Sequence, residues 1–104
     1  MVVKFNNYTI QEPASFASEW VTVGTTVTRQ LTLTWDRYYL ASFKNALTRV
    51  FQVSPPSFTV NFLDPVTNDL ADLVVKPYEI SAPVLSESEA GVQLLGPVRM
   101  VLRE

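Results

Sequence analysis

The side chains best placed to do chemistry in this chain are acidic: Asp64, Asn68, Asp69 and Asp72 lie close together in sequence. Oxygen donors at that density suit calcium, which binds carboxylates and carbonyls. The cluster lacks the Asp-x-Asn-x-Asp-Gly spacing and the bidentate Glu of a helix-loop-helix site, whereas Pro65 pre-sets a turn angle and Asp and Asn bond their own backbone. A hairpin turn accounts for it better. A glycosidase acid/base pair would need two carboxylates in contrasting environments, and adjacent turn residues share the same solvent. Ser and Thr are plentiful, but the chain has neither Cys nor His. That excludes thiol nucleophiles, disulfides, thiolate and imidazole metal ligands and histidine acid/base catalysis. No Gly-x-Ser-x-Gly elbow activates a serine, and Lys44 and Lys76 stand in polar patterns rather than desolvated ones. The expectation is a protein with no catalytic, cofactor-binding or metal-binding residues, and not an enzyme.

Two other groups of side chains bear on binding. Trp20, Tyr38 and Tyr39 could stack on sugar or base rings, although core packing is the commoner use of aromatics at these spacings. Arg29 falls on the apolar face of the clearest strand pattern, where an unpaired charge is costly. Either it lies near the strand end and reaches water along its own stem, or it forms a buried or interfacial pair with a carboxylate, one from another subunit included.

These side chains must be positioned by a fold of modest size. The chain has 104 residues, with 8 Lys and Arg against 10 Asp and Glu, 47% hydrophobic and 17% charged. Those proportions fit one packed domain over 1–104 and argue against disorder. The basic residues are scattered, so no nucleic-acid face is expected. Apolar runs are too short for a membrane span, and the opening Met1-Val2-Val3-Lys4-Phe5 leads into Asn6-Asn7 without the apolar core of a signal peptide, so synthesis and folding in the cytoplasm are expected.

Asn6-Asn7 predicts a tight hairpin turn, since Asn tolerates positive φ. From Trp20 to Trp35 the pattern alternates: Val21, Val23, Val27, Leu31, Leu33 and Trp35 share odd positions, and Thr22, Thr26, Thr28, Gln30, Thr32 and Thr34 share even ones. The reading is a strand over 26–35 that buries Val27, Leu31, Leu33 and Trp35, separated by Gly24-Thr25 from an extended stretch before it. The period then shifts. Tyr39, Leu40, Phe43, Leu47, Val50 and Phe51 predict an amphipathic helix over 37–52, capped by Asp36 and ended by Pro55-Pro56, with Lys44 and Arg49 in solvent. Phe58–Phe62 and 70–80 read as a hairpin with a six-residue loop. The stretch 81–97, rich in Pro, Gly, Ser and Glu, reads as a long exposed loop before a last strand through Val98, Met100 and Leu102.

In order, Phe5-Asn6-Asn7-Tyr8-Thr9-Ile10, Pro13-Ala14-Ser15-Phe16 and Val27-Thr28-Arg29-Gln30-Leu31-Thr32-Leu33-Thr34-Trp35 resemble a family of small tail proteins of long-tailed bacteriophages and prophages. Phe58-Thr59-Val60-Asn61-Phe62-Leu63-Asp64-Pro65-Val66-Thr67 is similar to that family's aromatic strand and Asp-Pro-x-Thr turn, and Ile80-Ser81-Ala82-Pro83 to its Ala-Pro segment. Asn6-Asn7 stands where an Asn-Gly turn is more usual, the 66–69 loop lacks a Gly, and the Gly-aromatic ending is weak around Gly96-Pro97. The resemblance implies a mainly β protein with one α-helix, a β-sandwich or barrel flanked by that helix as in tail-tube and distal-tail proteins. It also implies a structural part of the virion tail whose partners are copies of itself and other phage tail proteins. The edge strands of a small β domain can pair between neighbours and close into a ring. On that expectation the interface candidates are Arg29 together with Glu87, Glu89 and Gly91 of the 81–97 loop, which would couple one ring to the next. The competing expectation is a ligand-binding module, for example for carbohydrate, using Trp20 or the same loop.

Overall fold

The computed structural model describes residues 2–64, 67–82, 84–89 and 92–104, with backbone alone at 84–89 and 92. The chain begins with β1 (Lys4–Phe5) and β2 (Tyr8–Thr9), joined by Asn6 and Asn7 at φ 50° and 67°. The left-handed pair expected of Asn-Asn is therefore present. Two long strands follow, β3 (Ser15–Val23) and β4 (Thr26–Trp35), turning at Gly24 with φ 64°. A Cβ at Gly24 would meet nothing within 4 Å, so the backbone angle rather than crowding favours glycine there.

The two-residue turn has a consequence for register. Val23 opposes Thr26 and Trp20 opposes Arg29, so even residues of β3 share a face with odd residues of β4. Val21 and Val23 consequently lie on the Thr face and not with Leu31 and Leu33, which corrects the odd-position face read straight through from Trp20 to Trp35. Phe16 and Ser18 take the inward places instead, opposite Leu33 and Leu31.

After β4 come β5 (Tyr38–Tyr39) and α1 (Leu40–Val50). The helix is shorter than 37–52 because Tyr38 and Tyr39 pair with Leu95 and Leu94 as a short strand, which buries the Tyr38 ring completely. Tyr39 occupies the N-cap with no side-chain bond, so Asp36 is not the cap. Phe43, Ala46 and Val50 form the buried stripe; Lys44 is exposed as expected, whereas Arg49 is half-buried with its guanidinium 4.6 Å from the Tyr8 ring. The strands β6 (Phe58–Leu63) and β7 (Leu70–Ser81) form the expected hairpin.

The 81–97 stretch is not a structureless loop. It contains the end of β7 at Ser81, then β8 (Val84–Glu89) and β9 (Val92–Leu95), paired antiparallel. Leu94 and Leu95 are buried, because β9 also pairs with β5 and brings them against the aromatic core. The last strand is β10 (Val98–Arg103), which pairs with β4 through six residues and with β7.

The architecture is mainly β with a single helix. One sheet runs β2-β1-β6-β7-β10-β4-β3 and the other β5-β9-β8; both orders are open, so neither closes into a barrel. The larger sheet folds back on itself about β7, which pairs with β6 through Leu70–Val75 and with β10 through Lys76–Ser81. The fold brings Phe62 of β6 to 5.1 Å from Phe16 of β3. Between the halves and α1 lies one core, in which the Trp35 and Tyr38 rings meet tilted and those of Tyr38 and Phe43 edge to face, at centroid distances of 5.0 and 5.4 Å. The Trp35 indole N–H donates to the Gln11 carbonyl at 2.9 Å, which satisfies the one polar atom this ring takes inside.

Candidate assembly surfaces

Edge strand β3 is held in place by side chains that run across the outer face of the sheet. The Arg103 guanidinium lies 3.6 Å from the Tyr78 ring centroid and donates through Nε to Gln30 Oε1 at 2.8 Å. Gln30 Nε2 in turn donates to Glu19 Oε1 at 3.0 Å. This chain of contacts ties β7, β10, β4 and β3 together at the level where β10 ends.

Beyond that level the β3–β4 hairpin has no third strand, since β10 pairs with β4 only from Gln30 to Trp35. Arg29 marks the boundary on the inner face. Its Nε donates to Ser18 Oγ at 2.7 Å, its Nη2 bonds Asp64 Oδ2 at 2.7 Å, and its guanidinium lies 5.5 Å from the Phe62 ring. Asp64 is buried and Arg29 is nearly so. The structure thus places Arg29 in an ion pair with a carboxylate of its own chain, clamping the end of β6 to β4 across the open mouth of the folded sheet. Ser18 and Phe62 complete the seat.

Asp64 owes its position to the turn that follows β6. Asn68 N–H donates to the Asp64 carbonyl at 2.7 Å and Asp64 N–H to the Asp69 carbonyl at 2.9 Å, with Asn68 at φ 60°. Asn68 and Asp69 therefore serve a turn, as their residue types suggest. Asp72 lies apart on β7, where its Oδ1 accepts from Asn61 Nδ2 at 2.7 Å. Among the described residues no three acidic groups gather in a metal-holding arrangement.

Past the clamp the inner face of the hairpin continues as Trp20 and Val27, 68% and 59% exposed rather than buried as the alternation predicts for Val27, while Val23, 46% exposed at the tip, lies on the opposite face. Leu63 and Leu70, opposite one another at the end of the β6–β7 hairpin, are also exposed, Leu70 at 86%. Strand directions send both hairpin ends the same way, so Trp20, Val27, Leu63 and Leu70 are exposed on the same side of the fold, while Tyr39, Phe51, Val53, Val74 and Tyr78 are exposed as well. Beside Leu70 an open cleft of about 370 Å³ is lined by Val2, Lys4, Asn7, Asn61, Phe62 and Asp72 among others.

The remaining sequence candidates lie elsewhere. Glu87 and Glu89 are in β8, the edge strand of the small sheet, and Gly91 lies outside the described residues. Among the described residues Arg29 has its contacts with Ser18, Phe62 and Asp64. Of the aromatics, Trp20 and Tyr39 are exposed and Tyr38 is core. Burial pushes the Tyr38 phenol up to about 12, with the Gln11 backbone pulling partly against it, and its hydroxyl makes no well-formed hydrogen bond. Sequence reading missed the apolar end because it treated the odd-position valines as one buried face. The signal that could have found it is Gly24: a two-residue turn fixes which residues share a face. Among the described residues no helix is long and apolar enough to cross a membrane. The chain matches no protein-family model, and neither a curated protein nor a solved structure is similar enough to match it.

Proposed function

We propose that this chain is a non-enzymatic structural subunit that associates with copies of itself through a sheet edge, in the tail of a long-tailed bacteriophage. The observation that carries self-association is strand β3. It is nine residues long, stands at the end of the sheet order, and leads into exposed Trp20 and Val23. Edges of that length are normally blunted by Lys, Pro or a cover, because unpaired N–H and C=O groups invite another strand. β3 contains no Lys and no Pro, and Glu19, its single charge, is held by Gln30. Strand β2, at the other end of the order, has two residues and offers little to pair with. The tail assignment is supported by the sequence resemblance described above, which covers most of the chain and leads one to expect a mainly β fold with one helix. In this reading the protein is made in the host cytoplasm, works in the virion, and takes other tail proteins as further partners.

A ligand-binding module is the competing reading, favoured by the cleft beside Leu70. Its polar lining is largely committed inside the chain, since Asn61 donates to Asp72 and accepts from the Asn7 N–H at 3.0 Å. Sedimentation of the purified protein, with imaging and mass analysis of purified tails, tests the structural reading. The expected result is a discrete oligomer in solution and this chain within the tail. A strict monomer that is absent from tails would defeat the proposal.

A further inference from the structure

Strand β3 has one side committed to β4 and the other side open. The two-residue turn at Gly24 makes Val23 and Thr26 a hydrogen-bonded pair, and such pairs alternate with non-bonded ones along an antiparallel ladder. Two bonds farther along agree with that phase. The Arg29 carbonyl turns away from β3 and accepts from the Glu104 N–H at 3.1 Å, whereas the Thr34 carbonyl turns toward it and accepts from the Ala14 N–H at 2.7 Å. The N–H and C=O groups of Phe16, Ser18, Trp20 and Thr22 therefore point out of the sheet edge, and among the described residues none of them has a partner within the chain. None of the nine residues of β3 is buried.

We infer that β3 pairs antiparallel with β3 of a second copy about a two-fold axis at Ser18, so that Phe16 of each copy faces Trp20 of the other. This rests on the self-association proposed above and names its geometry. A row of alternating donors and acceptors is satisfied by another strand, and the side chains of β3 are complementary to themselves in one register. With the open groups on even residues, the axes that overlap most of the strand fall at 18, 19 or 20. An axis at 19 sets Glu19, the one charge of the strand, directly against its own copy, which is destabilising. An axis at 20 leaves the half-buried Phe16 opposite Gly24, with no side chain to cover it. At 18, Glu19 faces the small Ala17 and keeps its bond from Gln30, while the exposed Trp20 lies beside Phe16, whose ring is 5.1 Å from Phe62. Cross-strand aromatic pairs are stabilising, and this one carries the aromatic contacts of one copy across to the next. Because both copies offer the same edge, the contact is isologous and closes at two.

The chain has no cysteine, so a single introduced one reports the axis. Ser18→Cys sets two sulfurs across it, where facing Cα atoms about 5.5 Å apart suit a disulfide. Mild oxidation should link this variant into a covalent dimer, and Thr22→Cys, well away from the axis, should stay unlinked. In analytical ultracentrifugation the wild type should be a dimer, and Trp20→Pro should weaken it by at least about tenfold, the effect of removing one strong contact. The Trp20 N–H takes no part in the β4 ladder, so proline there spares the bonds of the monomer, which far-UV circular dichroism checks. Should the proline variant fail to fold, the crosslink decides alone. An associating wild type whose Ser18→Cys form stays unlinked, or links no better than Thr22→Cys, would overturn the paired edge and leave self-association standing. So would a folded Trp20→Pro that associates normally. A monomeric wild type would overturn both.

Discussion

The two halves of the β3–β4 hairpin share one alternating pattern and meet opposite fates. At the base, Leu31, Leu33 and Trp35 are buried against β6 and the aromatic core, whereas at the tip Val27 and Trp20 continue the same inner face into open space. The divide falls at Arg29, whose pair with Asp64 closes the mouth of the folded sheet. Alternation therefore specifies a face and not its cover. Whether a residue on that face is core depends on how far the neighbouring strands reach, and β10 stops opposite Gln30.

The largest expected effect lies at the base. Leu33→Ala should cost about 2–5 kcal/mol in urea unfolding, because deleting a fully buried side chain loses its transfer free energy and leaves a cavity. At the divide, Arg29→Met should cost about 1–3 kcal/mol by leaving the buried Asp64 carboxylate without its guanidinium. Full stability in Arg29→Met would mean that the two halves are not clamped there. A pH series examines the core behind the base. The Tyr38 phenol holds its proton up to about pH 12 in the fold, while the unfolded chain ionises near its ordinary value of about 10, so unfolding releases a proton between these limits. Stability should be unaffected by Tyr38 below pH 10 and fall as pH rises from about 10 to about 12. Tyr38→Phe should remove that fall relative to wild type while changing neutral-pH stability by no more than about 1 kcal/mol, since the hydroxyl lacks a well-formed bond. The smallest effect is expected at the tip: Val27→Thr should alter monomer stability by less than about 0.5 kcal/mol. A loss comparable to Leu33→Ala would erase the distinction between base and tip.

Much of this fold is legible in the sequence because local chemistry agrees with it. Asn6-Asn7, Gly24 and the Asp64–Asp69 turn punctuate the chain where their backbone preferences say they should. The helix is legible from Phe43, Leu47 and Val50, but not its start, because Tyr38 gains more from burial beside Trp35 and Phe43 than from a first helical turn. The strands β8 and β9 are hidden by a composition of Ser, Glu, Gly and Pro; their pairing depends on β5, which local pattern does not announce. Of the candidate site, Arg29 is legible as a charge in an apolar register, yet its partner is 35 residues away and comes near only when the sheet folds about β7.

The exposed tip becomes a surface for another copy only if assembly covers it, and the two tryptophans report on that directly. Trp35 is buried in the monomer and Trp20 is open, so acrylamide should quench one of the two at high dilution. As concentration rises and copies associate, the quenchable fraction should fall toward zero while Trp35 remains unchanged. If Trp20 stays quenchable in the fully associated protein, the tip of the β3–β4 hairpin is not the surface through which copies join.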